Sequence, residues 1–123
     1  MTELLVDSSV LIDFFTDELA GETEMLLRSK QSCISIVSHF EVYKYMLKIG
    51  KTKEIYFVGD KLESFETLEM TPAICREAAK ISHSAGLSTA DSLIYATARV
   101  NNLHLVTRDN DLKGKPGVIF VKK

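Results

Sequence analysis

The chain has no apolar run approaching the ~18 residues that a membrane-spanning helix needs. Its first residues also lack the basic stretch, apolar core and cleavage site of a signal peptide, which points to a cytoplasmic protein. Cysteine is scarce. Cys33 and Cys75 form no CxxC pair, stand in apolar surroundings and read as buried free thiols in a reducing compartment. His39, His83 and His104 show no metal-ligand spacing, and His104, set among apolar strand residues, reads as a core or sheet-face side chain. No glycine-rich phosphate loop and no serine nucleophile elbow is present. Repeats, low-complexity segments and linkers are missing too. So is a basic bias: the net charge is −2, which does not announce a nucleic-acid binder. It does not exclude one, because acids committed to a metal count in the sum but not in the field a substrate feels. The basic residues are bunched, first at Lys44, Lys48, Lys51 and Lys53, then at Arg108, Lys113, Lys115, Lys122 and Lys123.

What is present is an ordinary globular composition, 46% apolar and 26% charged over 123 residues. That length fits one domain, residues 1–123, able to bury roughly two-thirds of the surface its unfolded chain exposes. Leu4-Leu5-Val6 reads as a short buried strand. Val10, Leu11, Phe14 and Phe15 follow at helical spacing, and a second helix is expected from Leu19 to Lys30 with Met25, Leu26 and Leu27 inward. Cys33 to Val37 has strand character. Ser38 to Glu41 matches a capping box at the start of the next helix, and Gly50 is a stop. A helix over Lys51–Ser64 and a strand over Phe65–Met70 come next. Thr71-Pro72 then opens a helix that closes near Gly86. Ser88 to Asp91 is a second capping box, before a helix with the small residues Ala90, Ala96, Thr97 and Ala98. Leu103 to Val106 and Val118 to Val121 are strands around a polar loop. The alternation predicts an α/β fold with a mostly parallel sheet covered by helices.

Against this background four carboxylates stand out. Asp7 and Asp109 follow predicted strands, Glu41 lies a few residues past one, and Asp91 opens a helix. Each has a structural use of its own. Glu41 and Asp91 can complete capping boxes, Asp7 can cap a helix, and Asp109 can shape a turn with Asn110. In a parallel sheet, however, the carboxyl ends of the strands share one edge, where α/β proteins build their sites. Four acids gathered there would repel one another at neutral pH, and a hard divalent cation with oxygen ligands resolves that repulsion. Such a cage suits phosphodiester chemistry, because the metal neutralises the substrate and activates water. Ser8, Ser9 and Thr107 stand beside two of the acids and can orient carboxylates or hold water, although Ser8 and Ser9 also suit helix caps. Asp13 lies six residues past Asp7, about 600° around a helix, and reads as a surface residue. Asp111, two residues past Asp109, can substitute for it or hold a second ion.

These segments resemble a known family. Leu5-Val6-Asp7-Ser8-Ser9-Val10-Leu11-Ile12-Asp13 is similar to the opening motif of PIN-domain ribonucleases, and Ser35-Ile36-Val37-Ser38-His39-Phe40-Glu41 to their second. Leu87-Ser88-Thr89-Ala90-Asp91-Ser92-Leu93-Ile94-Tyr95-Ala96-Thr97-Ala98 is similar to the third and most specific. Leu105-Val106-Thr107-Arg108-Asp109-Asn110-Asp111-Leu112 resembles the fourth, with Leu112 where an aromatic residue is frequent. The motifs come in family order, and a chain of this length looks most like VapC-type toxins of toxin–antitoxin pairs.

The resemblance implies a three-layer α/β/α PIN-like fold and a Mg2+- or Mn2+-dependent endoribonuclease. It also implies a homodimer and inhibition by a cognate antitoxin protein. The family's acids carry over onto Asp7, Glu41, Asp91 and Asp109, with the choice between Asp109 and Asp111 open, and its motif hydroxyl onto Thr107. Arg108, Lys113 and Lys115 are candidate contacts to the RNA backbone, or simply a solvated charged loop. The apolar residues of segments 40–49 and 52–65 can supply a dimer surface. The alternative from another class is a non-catalytic PIN-like RNA-binding or scaffold module. A phosphatase using Asp7 as nucleophile is a weaker third reading, because Ser9 stands where such enzymes usually carry a second aspartate.

Overall fold

The computed structural model describes residues 2–122, Thr2 by its backbone alone. In chain order the elements are β1 (Thr2–Val6), α1 (Ser8–Phe15), α2 (Gly21–Ser29), β2 (Gln31–Ser35), α3 (Ile36–Lys48), α4 (Ile55–Glu63), β3 (Glu66–Leu68), α5 (Pro72–Ala85), α6 (Thr89–Val100), β4 (His104–Thr107) and β5 (Val118–Phe120). Short 3-10 turns occupy Thr52–Glu54 and Asn110–Leu112. The five strands form one parallel sheet in the order β3-β2-β1-β4-β5.

The alternation of side chains along the strands divides the core in two. Leu4, Val6, Ile34 and Val106 face α1, α3 and α4, packing with Val10, Leu11, Val42, Met46, Val58 and Leu62. Leu5, Cys33 and Leu105 face the other way, toward Ile94, Tyr95 and Ala98 of α6. Helix α5 lies outside α6, with Ile74 and Ala78 against Ala96. The fully buried Ala96, Thr97 and Ala98 explain why α6 is small-sided: it is covered by the sheet on one flank and by α5 on another. The result is a three-layer α/β/α fold.

The order of the strands creates the crevice. Two crossovers carry the chain from β1 to β2 to β3 in one direction, and the third returns it to the far side of β1. The reversal falls between β1 and β4, where Val6 pairs with Val106 and Asp7 N–H donates to Val106 O at 2.9 Å. Doubly wound sheets place ligand sites at such a reversal.

Several boundaries differ from expectation. β2 ends at Ser35, whose hydroxyl accepts from Val37 N–H at 3.1 Å and caps α3. Helix α3 thus starts one turn early, and Ser38 is buried within it instead of capping it. The run Ile34-Ser35-Ile36-Val37 looks like a strand because β-branched residues suit both a sheet and a buried helix start. The third strand covers only Glu66–Leu68. Met25, Cys75 and His104 are exposed, against their expected burial. Gly86, at φ 68°, takes the left-handed position that ends α5.

Candidate functional site

Asp7 follows β1 and is the N-cap of α1. It is 3% exposed, so its carboxylate must be satisfied by protein groups or an ion. One oxygen takes nearly the whole load: Oδ2 accepts from Ser9 Oγ at 2.7 Å, Thr107 Oγ1 at 2.8 Å and, weakly, Ser9 N–H at 3.4 Å. Among the described residues Oδ1 accepts no hydrogen bond. Burial pushes the Asp7 carboxyl up, the hydroxyls of Ser9 and Thr107 pull it down, and nearby Asp109 adds to the rise.

Glu41 lies in the second turn of α3, and its Oε1 accepts from Ser8 Oγ at 2.7 Å. It is not a cap, because α3 begins at Ile36. Burial raises its proton affinity, as do Asp7 and Asp109, while the Ser8 hydrogen bond and Lys44 oppose the rise.

Asp91 sits in the first turn of α6. Its N–H donates to Ser88 Oγ at 3.2 Å, so the donor half of the second capping box is in place. Its carboxyl is pushed up to about 7, by burial first and then by the charges of Asp109 and Asp7. The Asp91 and Asp109 carboxylates are neighbours, with oxygens within 4.8 Å of each other.

Asp109 caps the 3-10 turn after β4, accepting from Asp111 N–H at 2.9 Å, while its own N–H donates to Thr107 Oγ1 at 3.0 Å. Asp91, Asp109 and Asp111 each bring one carboxylate oxygen within 4.8 Å of the others. The fourth motif therefore delivers both of its acids to the same place. Caps and turns do the aiming here. The backbone bonds that make Asp7, Asp91 and Asp109 useful at element starts also point their carboxylates into one crevice.

Asp13 overturns the expectation of a surface residue. It is 3% exposed, and both its oxygens accept from Arg108, from Nε at 2.6 Å and Nη2 at 2.9 Å. The helical-turn count was right that Asp13 does not face the other acids. It could not show that Arg108, 95 residues downstream and just past β4, the strand that pairs with β1, comes to meet it. Lys113 lies over the Phe120 ring at 4.9 Å, and Lys115 is half-buried.

The donor set fits a hard divalent cation. All the donors are carboxylate oxygens, and the Asp91 carboxyl, raised by burial first and then by the charges of Asp109 and Asp7, marks a crowded site that a cation relieves.

The family model of the PIN domain matches residues 4–117, and the chain belongs to the PIN-domain family. Within it, the fold is that of VapC-type toxins. A chain of a toxin–antitoxin complex from Klebsiella pneumoniae superposes with a TM-score of 0.83 at 26% identity, covering 98% of this chain and 100% of that one. DNA-bound VapBC from Salmonella typhimurium gives 0.81 at 15% identity over 99% and 98%. The sarcin–ricin loop-cleaving toxin VapC20 of Mycobacterium tuberculosis gives 0.78 at 14% identity over 98% and 100%. No curated protein matches the sequence.

Proposed function

We propose that the chain, as a single domain, is a Mg2+- or Mn2+-dependent endoribonuclease acting as the toxin of a toxin–antitoxin pair. The observation that carries this is the convergence of Asp7, Glu41, Asp91, Asp109 and Asp111 from four separate segments on the crevice between β1 and β4. Asp91, Asp109 and Asp111 would hold the ion, with Asp7 and Glu41 beside them. A bound divalent cation supplies charge neutralisation at the phosphodiester and activation of water for in-line attack. Ser9 and Thr107 fix Asp7 through Oδ2, which leaves Oδ1 for the ion or its water. Ser8 orients Glu41. RNA as substrate is supported by the family and by the named target of the Mycobacterium neighbour.

An antitoxin partner is supported by the solved neighbours, several of them toxin–antitoxin complexes. A cleft of about 530 Å³, lined by Phe14, Phe15, Leu19 and Phe57 and by the charged Asp17, Glu24 and Lys61, offers a seat for one face of such a partner. Homodimerisation is supported by the exposed stripe Ile36, Phe40 and Leu47 along α3.

Manganese-dependent cleavage of RNA tests the whole proposal. Asp91→Asn and Asp7→Asn are expected to abolish cleavage while the protein still unfolds cooperatively. Normal cleavage by both variants would remove these residues from the site. Calorimetric titration with manganese separates an enzyme from a scaffold that binds no ion.

A further inference from the structure

Arg108 is the residue between two parts of the site. Thr107 before it donates to Asp7, and Asp109 after it stands against Asp91. Its own side chain points away from the acids to Asp13 on the second turn of α1. There it makes a two-pronged contact, Nε and Nη2 each donating to a separate oxygen of a buried carboxylate. Its backbone N–H takes a second hold on the same helix, donating to Ser9 Oγ at 3.0 Å. Ser9 Oγ in turn donates to Asp7 Oδ2.

One residue at the exit of β4 is thus fastened at two points to the helix that Asp7 caps. We propose that Asp13 and Arg108 are positioning residues. Their ion pair fixes the post-β4 turn against α1, and so sets the spacing of Asp109 and Asp111 from Asp7. The inference rests on the metal-site reading above.

Three observations separate this from other roles. Both oxygens of Asp13 are occupied by Arg108, so Asp13 is not a spare ligand. Among the described residues the Arg108 guanidinium makes its side-chain hydrogen bonds and ion pair with Asp13, and none with Asp7, Glu41, Asp91, Asp109 or Asp111. Its charge is engaged with Asp13, so its effect on the site is geometric. The planar guanidinium is also suited to this work, because two parallel hydrogen bonds fix direction as well as distance. Without the pair, the turn can pivot about Thr107, and ligands drawn from separate elements tolerate little displacement.

The test is manganese titration by calorimetry on the full chain, with wild type, Asp13→Asn, Arg108→Ala, Arg108→Lys and the Asp13→Asn/Arg108→Ala double variant. Outer-sphere partners of metal ligands typically contribute about 10- to 100-fold in affinity. Each single variant is expected to weaken manganese binding within that range. The double variant should be no weaker than the worse single one. Arg108→Lys keeps the charge without the fork, so it should weaken binding as Arg108→Ala does while melting closer to wild type.

Wild-type affinity in Asp13→Asn and Arg108→Lys overturns the positioning role and leaves the metal site standing. Failure of the wild type itself to bind manganese removes the metal site and this inference together. Tighter metal-free binding of a short RNA by Asp13→Asn, at unchanged manganese affinity, also overturns it, because Arg108 would then be a phosphate contact that Asp13 holds back.

Discussion

Asp7 and Asp91 are acids whose surroundings favour the protonated form, and this has a definite sign in the metal-free protein. A carboxyl raised in the fold above its unfolded value binds protons in the folded state that the unfolded state has already released. Its contribution to stability is present below the unfolded value of 3.8 and is lost as pH rises through the folded value, about 7 for Asp91. Glu41 and Asp7 act in the same direction. Metal-free protein is therefore expected to melt at a lower temperature at pH 8 than at pH 5.5, and Asp91→Asn should flatten that slope. Thermal unfolding across this range, in chelator, checks it. Asp7→Asn should melt no lower than wild type at pH 8, since it replaces a desolvated acid with a neutral isostere. A large loss would mean that the charged form is what the fold needs. The sequence places Asp7, Asp91 and Asp109 correctly at element starts because cap chemistry is local. The capping use it also allowed Glu41 fails because Ser35 starts α3 one turn earlier, and it misreads Asp13 as a surface residue because the partner, Arg108, comes from a distant segment.

At the scale of the element, the sheet and its crossovers were readable because each strand is a short apolar run and each helix has a marked start or stop. Thr71-Pro72, Gly86 and Ser88 all act where expected. The error at α3 has a physical cause: the capping box at Ser38–Glu41 is a valid local signal, but Ser35 lies one turn nearer the end of β2 and captures the helix start. Ser35→Ala is accordingly expected to cost about 1 kcal/mol, and Ser38→Ala less, since the Ser38 hydroxyl has no hydrogen-bond partner among the described residues. Chemical denaturation of both variants distinguishes the two caps. The reverse order would return the helix start to Ser38. Gly117 is a second local test. At φ 76° it is in the left-handed region, and an added Cβ would lie 2.5 Å from the Arg99 guanidinium. Gly117→Ala should therefore destabilise, by about 1 kcal/mol or more, in the same assay.

For the molecule as a whole, the proposed metal site would set a balance between folding and ion binding. A cation that binds only the folded state stabilises it by about 2.7 kcal/mol at a hundredfold excess over its dissociation constant. Manganese should therefore raise the melting temperature of wild type at pH 8, with much less effect on Asp91→Asn. Differential scanning measurements with and without the ion check this, and an equal rise in both would place binding elsewhere. The strand order has one more consequence, in time. β1 is made first, yet one of its two neighbours, β4, begins only at His104. Until that stretch leaves the ribosome, the central strand has an open edge, Asp7 lacks the hydroxyl of Thr107, and the crevice has one wall. A nascent chain thus cannot assemble the cluster while most of it has already been synthesised. Whatever this site does can begin only once the stretch from His104 onward has been synthesised and has paired with β1.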